Sequence, residues 1–321
     1  VGVGVAGVAL AGLPPDRRGD RGLPALIGAS ADAVAPESLL LVASDNFAAG
    51  WAFAQVVEGA RPDVAVVVRQ HTWDASSVEP VRRRLPAALR GWHPGARLAD
   101  LARLADEWPL AWEWAEDLDA EARPRLTPGF PLFGRGQGPI ISYEAQLGAL
   151  LTRLPAGALD PPQARRAFAG LLDDLGRARL AMGGDAVAAF ARAAALDPER
   201  ALRWTNLGNA LSVADRLPEA VEATRRALAI APGDRTAGRN LARFLLNSGD
   251  EGAARAAIDA LLARHDRDPD GLALRGILKG NAGDLAGAAA DFSAALAQDP
   301  RQTEARAGLR RIEALRRARP E

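Results

Sequence analysis

The sequence contains no cysteine, three histidines, one tyrosine and a single lysine, Lys279. Without cysteine there can be no disulfide, thiolate zinc site, iron–sulfur cluster or cysteine nucleophile. His71, His93 and His265 lie far apart and show no metal-ligand spacing such as H-E-x-x-H. No Ser/His/Asp arrangement stands out and no G-x-S-x-G elbow occurs. No metal, cofactor or catalytic residue is therefore assigned. An excess of one charge is also lacking: 40 basic and 40 acidic residues cancel, which excludes a broadly basic nucleic-acid surface. Aromatic residues make up 5% of the chain, and every basic residue other than Lys279 is arginine, a bias of genome composition. The apolar run Val1–Leu13 holds 13 residues, fewer than the ~20 that cross a bilayer. No basic segment precedes it and no clear cleavage site follows, so it reads as the tail of a longer transmembrane helix, with an ordinary buried segment as the alternative. Its Gly2-x-Gly4-x-x-Gly7 spacing fits a dinucleotide fingerprint only formally, because no strand precedes it and no helix opens there.

A regular repeat is present. Pro198, Pro232 and Pro300 stand 34 and 68 residues apart, and Asp266 fills the missing register. Ala186, Ala220, Ala254 and Ala288 keep the same phase, as do Phe190, Thr224, Ile258 and Phe292, and Ala193, Ala227, Leu261 and Ala295. Gly208, Ala242 and Gly276 recur in the first helix of each unit. This 34-residue period resembles the tetratricopeptide repeat. The best copy is Ala201–Asp234, with Trp204, Leu207, Gly208, Leu211, Ala220, Ala227 and Pro232 in the family's positions. Each unit is expected to be two antiparallel helices. Gly208 and Ala220 let the axes approach, and Pro232 ends the second helix. One pair cannot bury its own apolar face, so neighbours stack.

The resemblance implies about four repeats over 164–300, the first beginning with a degenerate helix near Ala164–Met182. A capping helix follows over 301–321, with Leu309, Ile312 and Leu315 as its apolar stripe. It also implies a concave face that binds protein or peptide segments and catalyses no reaction. Thr205, Asn209, Arg239, Asn240, Arg243 and Asn281 are the candidate residues on that face. Some relatives clamp a terminal carboxylate there. Asn209 and Asn240 sit at matching offsets, but Asp270 and Leu274 occupy positions where the clamp needs cations. Arg239 and Arg243 read either as a local basic patch or as a solvated helix face.

The N-terminal half has a different pattern. Ser38–Ser44 is a short apolar run suited to a buried strand, Phe47–Ala60 reads as a helix, and Val64–Val68 is a second, β-branched strand. Together they predict a parallel βαβ unit. Asp45 and Asn46 fall at the carboxyl end of the first strand, where parallel sheets place ligand contacts. The same two residues suit a helix cap. The run Ser44-Asp45-Asn46, then Gln55, Val57-Glu58-Gly59 and Arg61-Pro62-Asp63-Val64 resembles the soluble segment after the last membrane helix of GT-C-type glycosyltransferases related to protein O-mannosyltransferases. Bacterial members of that family often carry C-terminal tetratricopeptide repeats. The likeness covers roughly Asp16–Asp74. Ser44 replaces the family's usual glycine, and Phe47-Ala48-Ala49-Gly50 follows where proline and aromatics are usual. The resemblance implies that the lipid-linked-sugar site lies outside this sequence. Asp45, Asn46, Gln55, Glu58, Arg61 and Asp63 are then motif positions, not assigned catalysts. A local salt bridge closing the helix-to-strand turn is the simpler role for Glu58, Arg61 and Asp63.

Residues 75–155 carry weaker signals. Val78–Leu89 and Leu98–Glu107 look helical. Trp108, Trp112 and Trp114, among several acids, suit either sugar stacking or a packed amphipathic helix. A strand pair is expected around Gly134-Arg135-Gly136-Gln137-Gly138, with Pro139-Ile140-Ile141 extended.

The expected fold class is thus a small N-terminal α/β domain with a parallel βαβ unit, then an all-α tetratricopeptide-repeat solenoid. The expected layout is an apolar tail at 1–13, the α/β domain at 14–155, a linker at 156–163, repeats at 164–300 and the cap. The function expected is the C-terminal part of a membrane glycosyltransferase-like protein, its soluble part extracytoplasmic, whose repeats bind protein. The alternative is a non-enzymatic scaffold, which would be cytoplasmic. Nucleic acid is not an expected partner.

Overall fold

A computed structural model describes residues 22–42, 45–68, 110–112, 127–128, 133–134 and 140–317. The described chain divides between Gly184 and Asp185 into two compact units.

The first unit contains α1 (Gly22–Ala33), β1 (Leu39–Val42), α2 (Asp45–Val56), β2 (Ala65–Val68), β3 (Leu110–Trp112), β4 (Thr127–Pro128), β5 (Phe133–Gly134), α3 (Ile140–Arg153) and α4 (Pro162–Ala181). The strands form one sheet in the order β2-β1-β3-β5-β4. β1 runs parallel to both β2 and β3, with Leu39 opposite Ala65 and Leu110. β5 is antiparallel to β3 and β4. All four residues of β1 are buried, as expected for a central strand covered on both faces. α2 makes the crossover between β1 and β2. Its Phe47 and Trp51 are buried, and the Trp51 indole N–H donates to Ser30 Oγ of α1 at 2.9 Å. Gly50 makes the approach possible, since a Cβ there would lie 2.5 Å from Ile27.

Two secondary-structure expectations for this unit are corrected. Leu110–Trp112 is a strand rather than part of an amphipathic helix. Ile140 and Ile141 open α3 rather than extending a strand; a proline just before them suits a helix start, where no N–H is needed. The expected linker at 156–163 is a packed turn after α3 that runs into the first residues of α4. Ala158 is buried, and its carbonyl oxygen would lie 2.5 Å from a Cβ on Gly22. α4, read as the first repeat helix, belongs to this unit, where Arg179 pairs with Glu144 of α3. Val1–Leu13, Val78–Leu89, Leu98–Glu107 and Gly136–Gly138 lie outside the described residues. Among those described, no helix is long and apolar enough to cross a membrane.

The second unit is all helix: α5 (Val187–Leu196), then the pairs α6 (Ala201–Val213) with α7 (Leu217–Ile230), α8 (Arg235–Asn247) with α9 (Glu251–Arg264) and α10 (Pro269–Asn281) with α11 (Leu285–Gln298), then α12 (Thr303–Arg317). The small residues in repeat register are buried: Ala186, Ala220, Ala254 and Ala288 are at most 1% exposed. A Cβ on Gly208 would meet Thr224 Oγ1 at 2.5 Å and the Ala220 carbonyl at 3.2 Å, so a side chain there would push α6 off α7. Phe292 is wedged between helices. A Cβ on Gly276 or Gly308 would fall 2.6 Å or 2.4 Å from its ring. It joins Ile258, Leu274, Leu278 and Ile312 in one continuous core, as stacking of incomplete pairs demands.

Helix starts follow a second period. Asp234 and Asp268 cap α8 and α10, and Asp250 and Asp284 cap α9 and α11, each accepting from the backbone N–H three residues on. Pro269, three residues past the register that Asp266 fills, begins α10 behind its Asp268 cap. In the cap helix Ile312 is buried and Leu309 is partly buried against the core, but Leu315 is 45% exposed, so the expected stripe is only partly used. Trp204 is likewise only partly buried. Its indole N–H donates to the Pro198 carbonyl at 2.8 Å, and the Arg226 guanidinium covers its face at 4.9 Å.

Candidate functional site

Two groups of residues were marked by the sequence, one in each unit.

In the first unit the motif residues close on the backbone. Arg61 adopts φ of +45°, and this turn aims its guanidinium at the end of α1. It donates to the carbonyls of Ala31, Val34 (2.8 Å) and Ala35 (2.9 Å), and to both oxygens of Asp63. A cation at a helix carboxyl end satisfies orphan carbonyls and complements the dipole. Asp63 also accepts from the Glu37 N–H at 3.0 Å. The Arg61 bond holds the Asp63 carboxyl well below the ordinary carboxylate range. The Gln55 amide donates to the carbonyls of Arg61 (3.0 Å) and Val64 (2.7 Å), fixing the turn into β2. Glu58 is exposed. Arg61, Asp63 and Gln55 form a latch between α1 and the βαβ unit. The side chains of Asp45 and Asn46 lie outside the described residues.

In the second unit α6, α8, α10 and α12 form a row of first helices, and the polar residues on their shared face bond from helix to helix. Arg239 of α8 grips the buried Asp268 at 2.5 and 2.9 Å and reaches Asp270 at 3.0 Å. Gln302 donates to Asp270 and Glu304, and its carbonyl caps α12 through the Ala305 N–H. Arg243 reaches Glu304 at 3.3 Å. That pair spans α8 to α12 over the intervening α10. Helix axes pack 8–10 Å apart, so a contact that skips a helix requires the row to bend toward this side.

Burial works against the charge on Asp268, but Arg239, the Gly271 N–H and Arg235 outweigh it and hold the carboxyl below its ordinary range. Asp291 behaves alike: burial opposes its charge, and Arg275 and Lys279 prevail. Arg203, 3.5 Å from Asp197, is pushed by burial down to about 10.

The candidates thus separate. Thr205 is turned inward, 2% exposed, with its hydroxyl 3.2 Å from the Ala201 carbonyl. Arg239 and Arg243 are both held in ion pairs, Arg239 with the buried Asp268 and Arg243 with Glu304 while 42% of its side chain stays exposed. Asn240 donates to Asn209 Oδ1 at 2.9 Å, bridging α8 to α6. Asn281 is exposed at the end of α10. Asn206 was missed. It lies 34 residues before Asn240, and its amide nitrogen is buried without a hydrogen-bond partner. The period that locates the core would have found it.

A cavity of about 210 Å³ between α7, α8 and α9 is lined mainly by Leu228, Pro232, Leu241 and Leu261. Its polar neighbours are engaged elsewhere: Asp234 caps α8, and His265 Nε2 lies 3.2 Å from the Gly233 carbonyl. Among the described residues no group of three or more His, Asp or Glu is placed to hold a metal ion.

Residues 214–278, from the end of α6 into α10, match the tetratricopeptide-repeat family. The second unit therefore carries tetratricopeptide repeats. Similar solved structures include YrrB, described as a tetratricopeptide-repeat protein with an unusual peptide-binding site (17% identity, 53% of this chain and 87% of that chain, TM-score 0.41). Others are MamA from Desulfovibrio magneticus RS-1 (17% identity, 48% and 97%, TM-score 0.38) and a repeat protein from Parabacteroides merdae (16% identity, 54% and 65%, TM-score 0.45). No curated protein matches the chain.

Proposed function

We propose that the second unit is a protein-interaction module that holds a segment of another polypeptide on the face shared by α6, α8, α10 and α12. The observation that carries this reading is the Arg243–Glu304 pair across α10, which makes that face the inside of a curve. A concave row of paired helices offers a long contact line and no reacting group. The test uses the full chain as bait for a displayed random peptide library. A photo-crosslinker at Val213, on the face, should capture the enriched peptides. One at Glu222, exposed on α7, should not. Capture only from Glu222, or no enriched peptide, overturns the reading.

A second reading concerns the first unit. Its order of strand, Asp-Asn, helix and Arg-Pro-Asp turn supports a relation to the extracytoplasmic part of membrane glycosyltransferases of the GT-C type, with the repeats recruiting an acceptor. The chemistry would then reside in a membrane region outside this sequence, and the soluble part would face away from the cytoplasm. The scaffold reading needs neither and is compatible with the cytoplasm. In-frame coding sequence upstream of Val1 decides between them: several hydrophobic spans would support the membrane reading, and a stop codon would remove it.

A further inference from the structure

The cavity between α7, α8 and α9 falls on the repeat register. Gly238, in its wall, stands 34 residues after Trp204 and 34 before Leu272. In the earlier repeat the tryptophan ring is held from two sides. Its indole N–H donates to the Pro198 carbonyl at 2.8 Å, and the Arg226 guanidinium lies 4.9 Å from the ring centroid. In the later repeat Leu272 takes the position and joins the core, 7% exposed. Pro232 and Ala260 are the counterparts of Pro198 and Arg226, and both line the cavity beside Gly238. The cavity thus occupies the place that a tryptophan ring takes one repeat earlier.

Its size and lining suit that ring. A cavity of ~150 Å³ holds a benzene molecule, so one of about 210 Å³ has room for the two fused rings of an indole and little more. Leu228, Leu241 and Leu261 supply apolar wall. Leu261 stands where the earlier repeat has Ala227 and takes up part of the room, since a Cβ on Gly238 would lie 3.0 Å from its Cδ1. A buried indole needs an acceptor for its N–H, and the Pro232 carbonyl is the counterpart of the one that serves Trp204. Pro232, Ala260 and Arg264 are exposed at the rim, so the ring enters from solvent and whatever carries it stays outside. That is how a tryptophan anchors one polypeptide on another, with the ring in a pocket and the backbone across its mouth. At about 3.6 residues per turn, Gly238 and Leu241 lie on the side of α8 away from Asn240 and Arg243. The cavity is therefore separate from the face shared by the first helices, and nothing in it rests on the reading proposed for that face.

We propose that this cavity receives the indole ring of a tryptophan on another polypeptide, its N–H donating to the Pro232 carbonyl.

The probe is 5-fluoro-N-acetyltryptophanamide, titrated with the full chain and followed by fluorine NMR, in which the seven tryptophans of the chain are silent. One saturable site is expected. The analogue methylated on the indole nitrogen should bind at least about fivefold more weakly, the scale of one lost hydrogen bond. Two variants act in opposite directions. Gly238→Trp combined with Leu261→Ala rebuilds the Trp204 arrangement and should abolish binding. Ala260→Arg sets a guanidinium where Arg226 stands over Trp204 and should tighten binding about two- to fivefold, the scale of an exposed cation–π contact. Unfolding midpoints are recorded for both; Ala260 is exposed, so its variant decides the matter if the double variant unfolds. Absence of saturable binding overturns the proposal. So does binding that survives in the folded double variant, or an affinity that Ala260→Arg leaves unchanged. If 5-fluoroindole binds but the tryptophanamide does not, the ligand is a free ring and the polypeptide-borne tryptophan is ruled out.

Discussion

Arg61 in the first unit and Arg239 in the second were both candidates for contacting something outside the chain, and both are turned inward. Arg61 gathers the carbonyls at the end of α1, and Arg239 grips the carboxylate that caps α10. Each joins a helix end to a neighbouring element. Asn206, Asn209 and Asn240 behave differently. Their only mutual bond leaves most of their hydrogen-bonding capacity open. An arginine with a carboxylate in reach forms a strong, directional pair, whereas neutral amides gain less from each other and remain available. The contrast teaches that Arg61 and Arg239 build the scaffold, whereas the Asn240–Asn209 bridge leaves amide capacity over.

The comparison can be tested by substitution. The largest effect belongs to the scaffold itself. Phe292→Ala should lower the stability of the second unit by ~3–5 kcal/mol, because Gly276 and Gly308 provide no side chain to fill the gap. Urea unfolding followed by far-UV circular dichroism would show this, and an unshifted midpoint would deny the wedge. Arg61→Ala should cost ~1–3 kcal/mol by stranding partly buried carbonyls. Arg61→Lys should restore little, since one ammonium cannot span three carbonyls and a carboxylate; full rescue by lysine would mean that only charge matters there.

Acid should act on the second unit through Asp268 and Asp291. Their folded pKa values lie below the unfolded value of about 3.9. The stability they contribute is complete above that value and is lost as pH falls through the folded one. The unfolding midpoint should fall as pH drops from about 5 toward 2, and Asp268→Asn should flatten part of that slope. An equal slope in the variant would show that Arg239 and Asp268 are not coupled.

The smallest effect concerns a turn. Asp215 has φ of +59° where the next two repeats place Gly249 and Gly283, at +79° and +85°. Asp215→Gly should stabilise by at most about 1 kcal/mol, as strain relief is offset by added freedom in the unfolded chain. A clear loss in the thermal midpoint would show that the Asp215 side chain contributes more than its backbone costs.

The helical period made most of the second unit legible. Gly208, Ala220, Ala254 and Phe292 were marked by their recurrence, because close helix packing restricts which residue sizes fit. In the first unit β1 was legible as a short apolar run and β2 as a β-branched one. The strand at Leu110–Trp112 was not, since three residues carry too little periodicity to separate strand from helix. The start of α3 was missed for a related reason: Ile140 and Ile141 favour strands in isolation, and the helix shows only in the residues that follow.

The repeat sequence determined which helices pair and which small residues let them touch, because those constraints act at fixed separations along the chain. Which polar residues would be consumed and which left open was decided only in three dimensions. Arg243 finds Glu304 across 61 residues and an intervening helix. A partner so distant depends on the bend of the whole row, and no local pattern in the chain records that bend.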